Sequence, residues 1–260
     1  MEHPLIEAKS LYAGYSKTPV LKGISFSVLR GESLCILGPN GCGKTTLLKS
    51  LAGLIDYSGE ILLDGKNLKN MKRIDIAKKI AVLSQVSSIY FSYSIYDTVM
   101  MGRYARLENS SFRSFSKKDR AYVEKCLRAV DVWNLREKKI DELSGGQLQR
   151  VYLARTLAQE PEIILLDEPT NHLDLKNQTE LIYFLKDIYK TENKAVIGVF
   201  HDINLALQFA DKLLFLKDGK IASFGKKEAV LTGEILQAVY GMDVAGWMKN
   251  SFKNWALLNL

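Results

Sequence analysis

Three cysteines in 260 residues are too few and too scattered for a disulfide framework. Cys35, Cys42 and Cys126 form no Cys-x-x-Cys pair, and an odd set of isolated thiols suits a reducing compartment. Long apolar runs are missing as well. None reaches the roughly 18 residues that a bilayer-crossing helix needs, so any membrane association requires a partner. The first ten residues carry Glu2, His3, Glu7 and Lys9 in place of the apolar core of a signal peptide, and a cytoplasmic chain is expected. There is no internal repeat and no low-complexity segment. Acidic residues are the minority, 29 against 36 basic, a net charge of +7. That excess suits nucleotides, an anionic membrane surface or nucleic acid without choosing among them. The remainder is ordinary for a folded chain: 47% hydrophobic and 25% charged, enough for one large domain or a domain with a smaller lobe.

What is present centres on Gly38-Pro39-Asn40-Gly41-Cys42-Gly43-Lys44-Thr45. The spacing is Gly-x-x-x-x-Gly-Lys-Thr, with an apolar, strand-like run at 33–37 before it. After it, Leu47, Leu48, Leu51 and Leu54 fall at helical spacing. Glycines let backbone N–H groups converge on phosphate oxygens, and the following helix aims its positive end at the same place. Lys44 adds a full charge for the β- and γ-phosphates, and Thr45 a hydroxyl for magnesium. The pattern predicts a nucleotide site.

Residues 6–11 and 24–29 alternate apolar with polar, and 60–63 lead into Asp64-Gly65, so an antiparallel layer is expected beside the nucleotide strand. Tyr15 lies in a loop between the first two strands, where an aromatic face serves either a purine or local packing. The basic run at 66–79 reads as a solvated helix face, and residues 80–85 as a short strand ending in Gln85. Residues 94–141 read as mainly helical, a candidate second lobe, with Asp97 capping one helix and a Ser116/Asp119 capping box opening another. A helix follows from Ser144 to about 159, stopped by Pro161. Ser144 and Gln147 have capping-box spacing. Capping does not require Gly145 and Gly146 in the first turn, where each costs roughly 1 kcal/mol against alanine. Exposed N–H groups at such a helix start bind anions. Residues 163–168 form an apolar strand ending in Asp167 and Glu168, and residues 195–200 another ending before His201. Ligands sit beyond the carboxyl ends of parallel strands; there an aspartate holds magnesium and a glutamate takes a proton from water. A closing hairpin is predicted around Asp218-Gly219. Trp247, Phe252, Trp255 and Leu258 fall at loosely helical spacing and are expected to pack against their own domain.

A phosphate loop, Leu143-Ser144-Gly145-Gly146-Gln147, an apolar strand ending Asp-Glu and a strand ending in histidine, in that order, resemble the ATPase subunits of ABC transporters. The resemblance spans about residues 5–244. It implies an α/β fold: a P-loop NTPase (RecA-like) core with an N-terminal antiparallel β layer and an inserted α-helical subdomain. The core and layer correspond to 1–85 and 151–244, the helical subdomain to 86–150, and a tail to 245–260. ATP and Mg2+ are the implied cofactors. Tyr15 matches the aromatic that stacks on adenine, and the run from Gly38 to Thr46 matches Walker A. Gln85 matches the Q-loop glutamine that reaches magnesium and the attacking water. Ser144, Gly145, Gly146 and Gln147 match the signature, and Asp167 the Walker B magnesium residue. Glu168 matches the catalytic base, Leu173-Asp174 the D-loop, and His201 the switch histidine at the γ-phosphate.

In that family the signature of one subunit covers the ATP on the Walker A of the other. The implied assembly is a head-to-tail homodimer on transmembrane permease subunits at the cytoplasmic face of the membrane, serving an extracytoplasmic solute-binding protein indirectly. Residues 97–104, 170–174 and 239–244 further resemble ATPases of importers for iron–siderophore, haem or cobalamin. Residues 245–260 depart from that pattern. A rival is a soluble ABC ATPase acting on nucleic acid or the ribosome, suggested by Tyr104, Phe112 and Phe115 among the basic residues of 103–120. One cassette without a long coiled-coil insertion argues against it, and no nucleic-acid partner is expected. Cys42, beside Lys44, is a candidate reactive thiol that ATP would protect.

Overall fold

The computed structural model describes residues 3–16, 18–84, 92–107, 114–171 and 173–256, with backbone alone for 254–256. Strands β1 (Ile6–Ala13) and β2 (Leu21–Val28) bury one face and expose the other, as their alternation dictates. Strand β3 (Ser33–Leu37) is buried at every position, and helix α1 (Lys44–Leu51) follows the glycine loop. Then come β4 (Tyr57–Leu63), β5 (Lys66–Asn67), α2 (Arg73–Lys79) and β6 (Ile80–Leu83). The helical stretch holds α3 (Ile95–Met100), α4 (Lys117–Ala129) and α5 (Gly145–Ala158). Beyond it lie β7 (Ile163–Asp167), α6 (Leu175–Thr191), β8 (Ala195–Val199) and α7 (Ile203–Phe209). The hairpin β9 (Lys212–Lys217) and β10 (Lys220–Lys226) precedes α8 (Lys227–Val230), α9 (Gly233–Tyr240) and α10 (Val244–Ala256).

Two sheets result. The antiparallel layer runs β2-β1-β4-β5, and the main sheet runs β10-β9-β3-β8-β7-β6. Strands β6, β7, β8, β3 and β9 are parallel, and only β10 is reversed. Fully apolar strands such as β3 and β8 suit a parallel sheet covered on both faces. One apolar cluster joins the antiparallel layer to α1 and one face of the sheet, through Leu11, Ile24, Leu47, Leu51, Ile36 and Leu165. The other face packs on α5, α6 and α7 in a second cluster, which runs on without a break into α3 and α4 through Val99, Val123 and Val151. The helical block therefore shares its core with the sheet.

Register decides where chemistry gathers. Asp167 pairs across to Val199, and Val199 also ends the ladder opposite Ile36. The carboxyl ends of β3, β7 and β8 thus lie side by side, and the chain leaves them as Gly38, Glu168 and Phe200-His201. This is the crevice beyond the strand ends where ligands of open α/β sheets bind.

Caps account for most helix starts. Ser116 and Asp119 form the predicted capping box, and so do Ser144 and Gln147. At α3 the expectation is corrected: Ser94, not Asp97, is the cap, its hydroxyl accepting from Asp97 N at 3.0 Å. Asp97 sits three residues in and accepts the Ser94 hydroxyl at 2.6 Å, because serine reaches the first-turn N–H groups better from the extended position. Asp218 and Gly219 both have positive φ, the conformation a two-residue hairpin loop requires. The tail is corrected in part. Val244, Ala245 and Met248 pack on the core, but Trp247 and Phe252 stay 61% and 60% exposed.

Candidate functional site

The glycine loop is shaped by its own crowding. Gly38 has φ +150, and a Cβ there would sit 2.1 Å from the Leu216 carbonyl oxygen of β9. No other residue fits. Gly43, at φ 109, enters α1 without any side-chain cap. The N–H groups of the first turn are thereby left to a ligand rather than to a serine or aspartate. Lys44 is buried and lies back across the loop, its Nζ donating to Gly38 O at 2.8 Å and Pro39 O at 2.9 Å. A buried ammonium held only by two neutral carbonyls is a cation awaiting an anion.

Thr45 Oγ1 donates to Asp167 Oδ1 at 3.0 Å. Burial raises the Asp167 pKa, and the neighbouring Glu168 charge adds to the rise, while the Thr45 bond opposes it. Glu168 has φ +53, an uncommon conformation for a side chain and one found where a site holds its backbone under constraint. Its Oε1 lies 2.6 Å from His201 Nε2, and its Oε2 accepts from Asn171 Nδ2. Both carboxylate oxygens are therefore held. Asn40, Gly41, Gly43, Lys44, Thr45, Thr46, Glu168 and His201, together with Val20, line one cleft of about 500 Å3. That volume lies in the range of ligand pockets.

Other predicted residues fall elsewhere. Tyr15 is 64% exposed outside that lining, its ring under Lys49 Nζ at 5.7 Å, one turn along α1. Gln85 lies outside the described residues. Ser144, Gly145 and Gln147 are exposed at the start of α5, and Gly145 has open space where a Cβ would be. None of them, nor Gly146, lines the Lys44 cleft. Asp174 is also exposed and caps α6, accepting from Asn177 N at 2.8 Å. Cys42 is a correction. The thiol is buried, and burial pushes its pKa up despite the Lys44 charge, which disfavours the reactive thiolate. Asn171 belongs to the 170–174 resemblance, but its contact with Glu168 carried no signal in the sequence.

Two basic residues of the stretch that suggested nucleic acid are engaged inside the fold, while Lys117, Lys118 and Arg120 are exposed. Arg103 is buried against Asp119 at 2.8 Å and Glu160 at 3.1 Å, and Arg106 binds the carbonyls of Gln159, Glu160 and Lys78. Tyr104, although 59% exposed, packs edge-on against Phe115 with centroids 5.4 Å apart. Phe112 lies outside the described residues.

A parallel sheet with a glycine-loop lysine, a Thr–Asp pair and a doubly held glutamate at its carboxyl edge defines a P-loop nucleotide-hydrolase cassette. The sequence pattern of the ABC transporter family matches residues 21–171, more than half of the chain, and the chain belongs to that family of ATP-binding subunits. It is 39% identical over 247 residues to the uncharacterized ABC transporter ATP-binding protein YvrA of Bacillus subtilis (strain 168), covering 95% of this chain but 56% of YvrA. The chain thus spans little more than half the length of that relative. It is 33% identical over 238 residues to the ferric enterobactin transport ATP-binding protein FepC of Escherichia coli (strain K12), covering 91% of this chain and 87% of FepC. Among solved structures, the dimeric post-hydrolysis state of the ATP-binding cassette MJ0796 with ADP and Pi aligns with a TM-score of 0.73 at 28% identity. It covers 85% of this chain and 98% of that one. Among the described residues no helix is long and apolar enough to cross a membrane.

Proposed function

We propose that this chain is the ATP-hydrolysing subunit of an import system for an iron–siderophore, haem or cobalamin-type solute. The observation that carries the reading is the single cleft in which Lys44, Thr45, Glu168 and His201 meet. FepC and its kin, similar over nine-tenths of the chain, support the iron–siderophore member of that class. Lys44 leaves the carbonyls of Gly38 and Pro39 for the phosphates, so triphosphate binding replaces two neutral acceptors with a charged one. Thr45 and Asp167, two hard oxygen donors already in contact, fit magnesium, which takes few protein ligands beside phosphate oxygens. When bound, that ion neutralises charge on the β- and γ-phosphates. Glu168, oriented by Asn171 and His201, accepts the proton of the attacking water, and His201 stands at the γ-phosphate. Gln85 completes the set, and Tyr15 stacks on adenine.

The exposed helix start at Ser144 faces the triphosphate on a second copy, so two chains close head to tail around two ATP molecules. Losing the γ-phosphate removes the anion that both chains hold, and the pair opens. Permease subunits receive that motion at the cytoplasmic face of the membrane. The import reading is favoured over the nucleic-acid one by the similarity to import ATPases such as FepC, and Arg103 and Arg106 are engaged inside the fold. The test is reconstitution with the co-purified membrane partner in liposomes. A ferric siderophore, haem or cobalamin, presented with its binding protein, is expected to raise magnesium-dependent ATP hydrolysis and accumulate inside. No stimulation by any of the three would overturn the solute class.

A further inference from the structure

The signature helix and the general base of one chain are tied together. Gln149, one turn into α5 from Ser144, donates through Nε2 to the carbonyl of Pro169 at 2.9 Å, and Pro169 directly follows Glu168. Other contacts hold this turn as well, among them Asn171 N donating to Glu168 O at 3.2 Å. Glu168 N donates to Val199 O at 3.2 Å, and Gln178 Nε2 reaches Thr170 O at 3.2 Å. Because Glu168 sits at φ +53, its orientation depends on how the following residues are held. A partly open groove of about 140 Å3 runs beside the first turns of α5, between it, α6 and the end of α4, with Gly146, Gln149, Leu153, Leu173 and Leu181 in its lining. Arg150, the next residue, is ion-paired to Glu180, which ties α5 to α6 just past Gln149.

We infer that Gln149 is a positioning residue that makes the two ATP sites of the pair hydrolyse cooperatively. The inference rests on the head-to-tail reading above. ATP on the partner draws the α5 start of this chain toward its γ-phosphate. Gln149 passes the shift to Pro169, and Glu168 of this same chain then aligns on the ATP held by its own Lys44. Each nucleotide thus readies the base that cleaves the other, a coupling between two distinct sites.

Gln149→Glu tests this, because a carboxylate matches glutamine in size but donates nothing to a carbonyl. Steady-state hydrolysis is measured against ATP concentration in the intact transporter, for the wild type, Gln149→Glu and Gln149→Lys. The expected result for Gln149→Glu is a kcat lower by about tenfold, the worth of one hydrogen bond, with a Hill coefficient falling from about two toward one. Gln149→Lys returns an N–H donor and is expected to restore the cooperativity. A Hill coefficient unchanged in Gln149→Glu, whatever its kcat, overturns the inference, as does failure of Gln149→Lys to differ from Gln149→Glu. The parallel measurement is ATP-dependent dimerisation of Glu168→Gln with and without Gln149→Glu. Equal dimerisation shows that folding and nucleotide binding survive the change. Absence of a dimer in Glu168→Gln alone brings down the head-to-tail reading, and this inference with it.

Discussion

Asp167 carries an unusual electrostatic load. Burial and the adjacent Glu168 hold its pKa above the ordinary aspartate value, so ionising it opposes folding. The sign follows directly. A carboxyl with a raised folded pKa favours the fold at pH below its unfolded value, and that contribution is lost as pH rises through the folded pKa. Asp167→Asn keeps an acceptor for Thr45 and removes the charge. Its nucleotide-free melting temperature is expected to exceed that of the wild type at pH 7 and to match it near the acid end, while magnesium-dependent hydrolysis is abolished. Scanning calorimetry across pH checks this, and a lower melting temperature at pH 7 would refute the assignment. Cys42 gives a second prediction at this scale. With its thiol buried and its pKa raised, a thiol reagent is expected to leave it unlabelled at pH 7 with or without ATP, and to label it only on unfolding. Mass spectrometry of the labelled chain decides.

Among the elements, the helical block depends on one buried cation. Arg103, 8% exposed, joins the segment after α3 to Asp119 in the first turn of α4, and to Ala158 O and Glu160 at the end of α5. Its guanidinium also lies 4.8 Å from the Tyr122 ring. Deleting one partner of a buried ion pair strands the other. Arg103→Ala is expected to cost about 3 kcal/mol, seen as a lower urea midpoint at unchanged slope. Loss of less than about 0.5 kcal/mol would mean that the pair is solvated in solution. Such a role was not legible in the sequence, where Arg103 looked like one basic residue among several. Capping boxes at Ser116 and Ser144, by contrast, were legible, because both partners lie three residues apart. So were β3, β7 and β8, whose uninterrupted apolar runs suit only strands buried on both faces. Asp97 was misread because an aspartate three residues inside a helix and a serine at its cap are both N-terminal signals. Geometry, not composition, separates them.

Taken as a whole molecule, the chain brings half of its chemistry together and sets the other half apart. Lys44, Thr45, Glu168 and His201 converge because β3, β7 and β8 end in register; the loop spacing and strand ends pointed to the first three, and the family resemblance to His201. The contacts that orient them were not foretold. Asn171 on Glu168, and Gln149 on Pro169, depend on how loops and helices meet in space, which no spacing rule reports. Ser144, Gly145 and Gln147 stand exposed and outside the cleft, so in one copy their anion-binding helix start has no triphosphate to meet. In the proposed head-to-tail pair that triphosphate sits on the second copy.

Gel filtration of Glu168→Gln with ATP and magnesium, beside the same variant carrying Ser144→Arg, tests that claim most directly. Removing the proton acceptor is expected to trap an ATP-held dimer, and blocking the helix start is expected to return it to a monomer that still binds ATP. A Glu168→Gln protein that stays monomeric at every ATP concentration, or a dimer indifferent to Ser144→Arg, would contradict it.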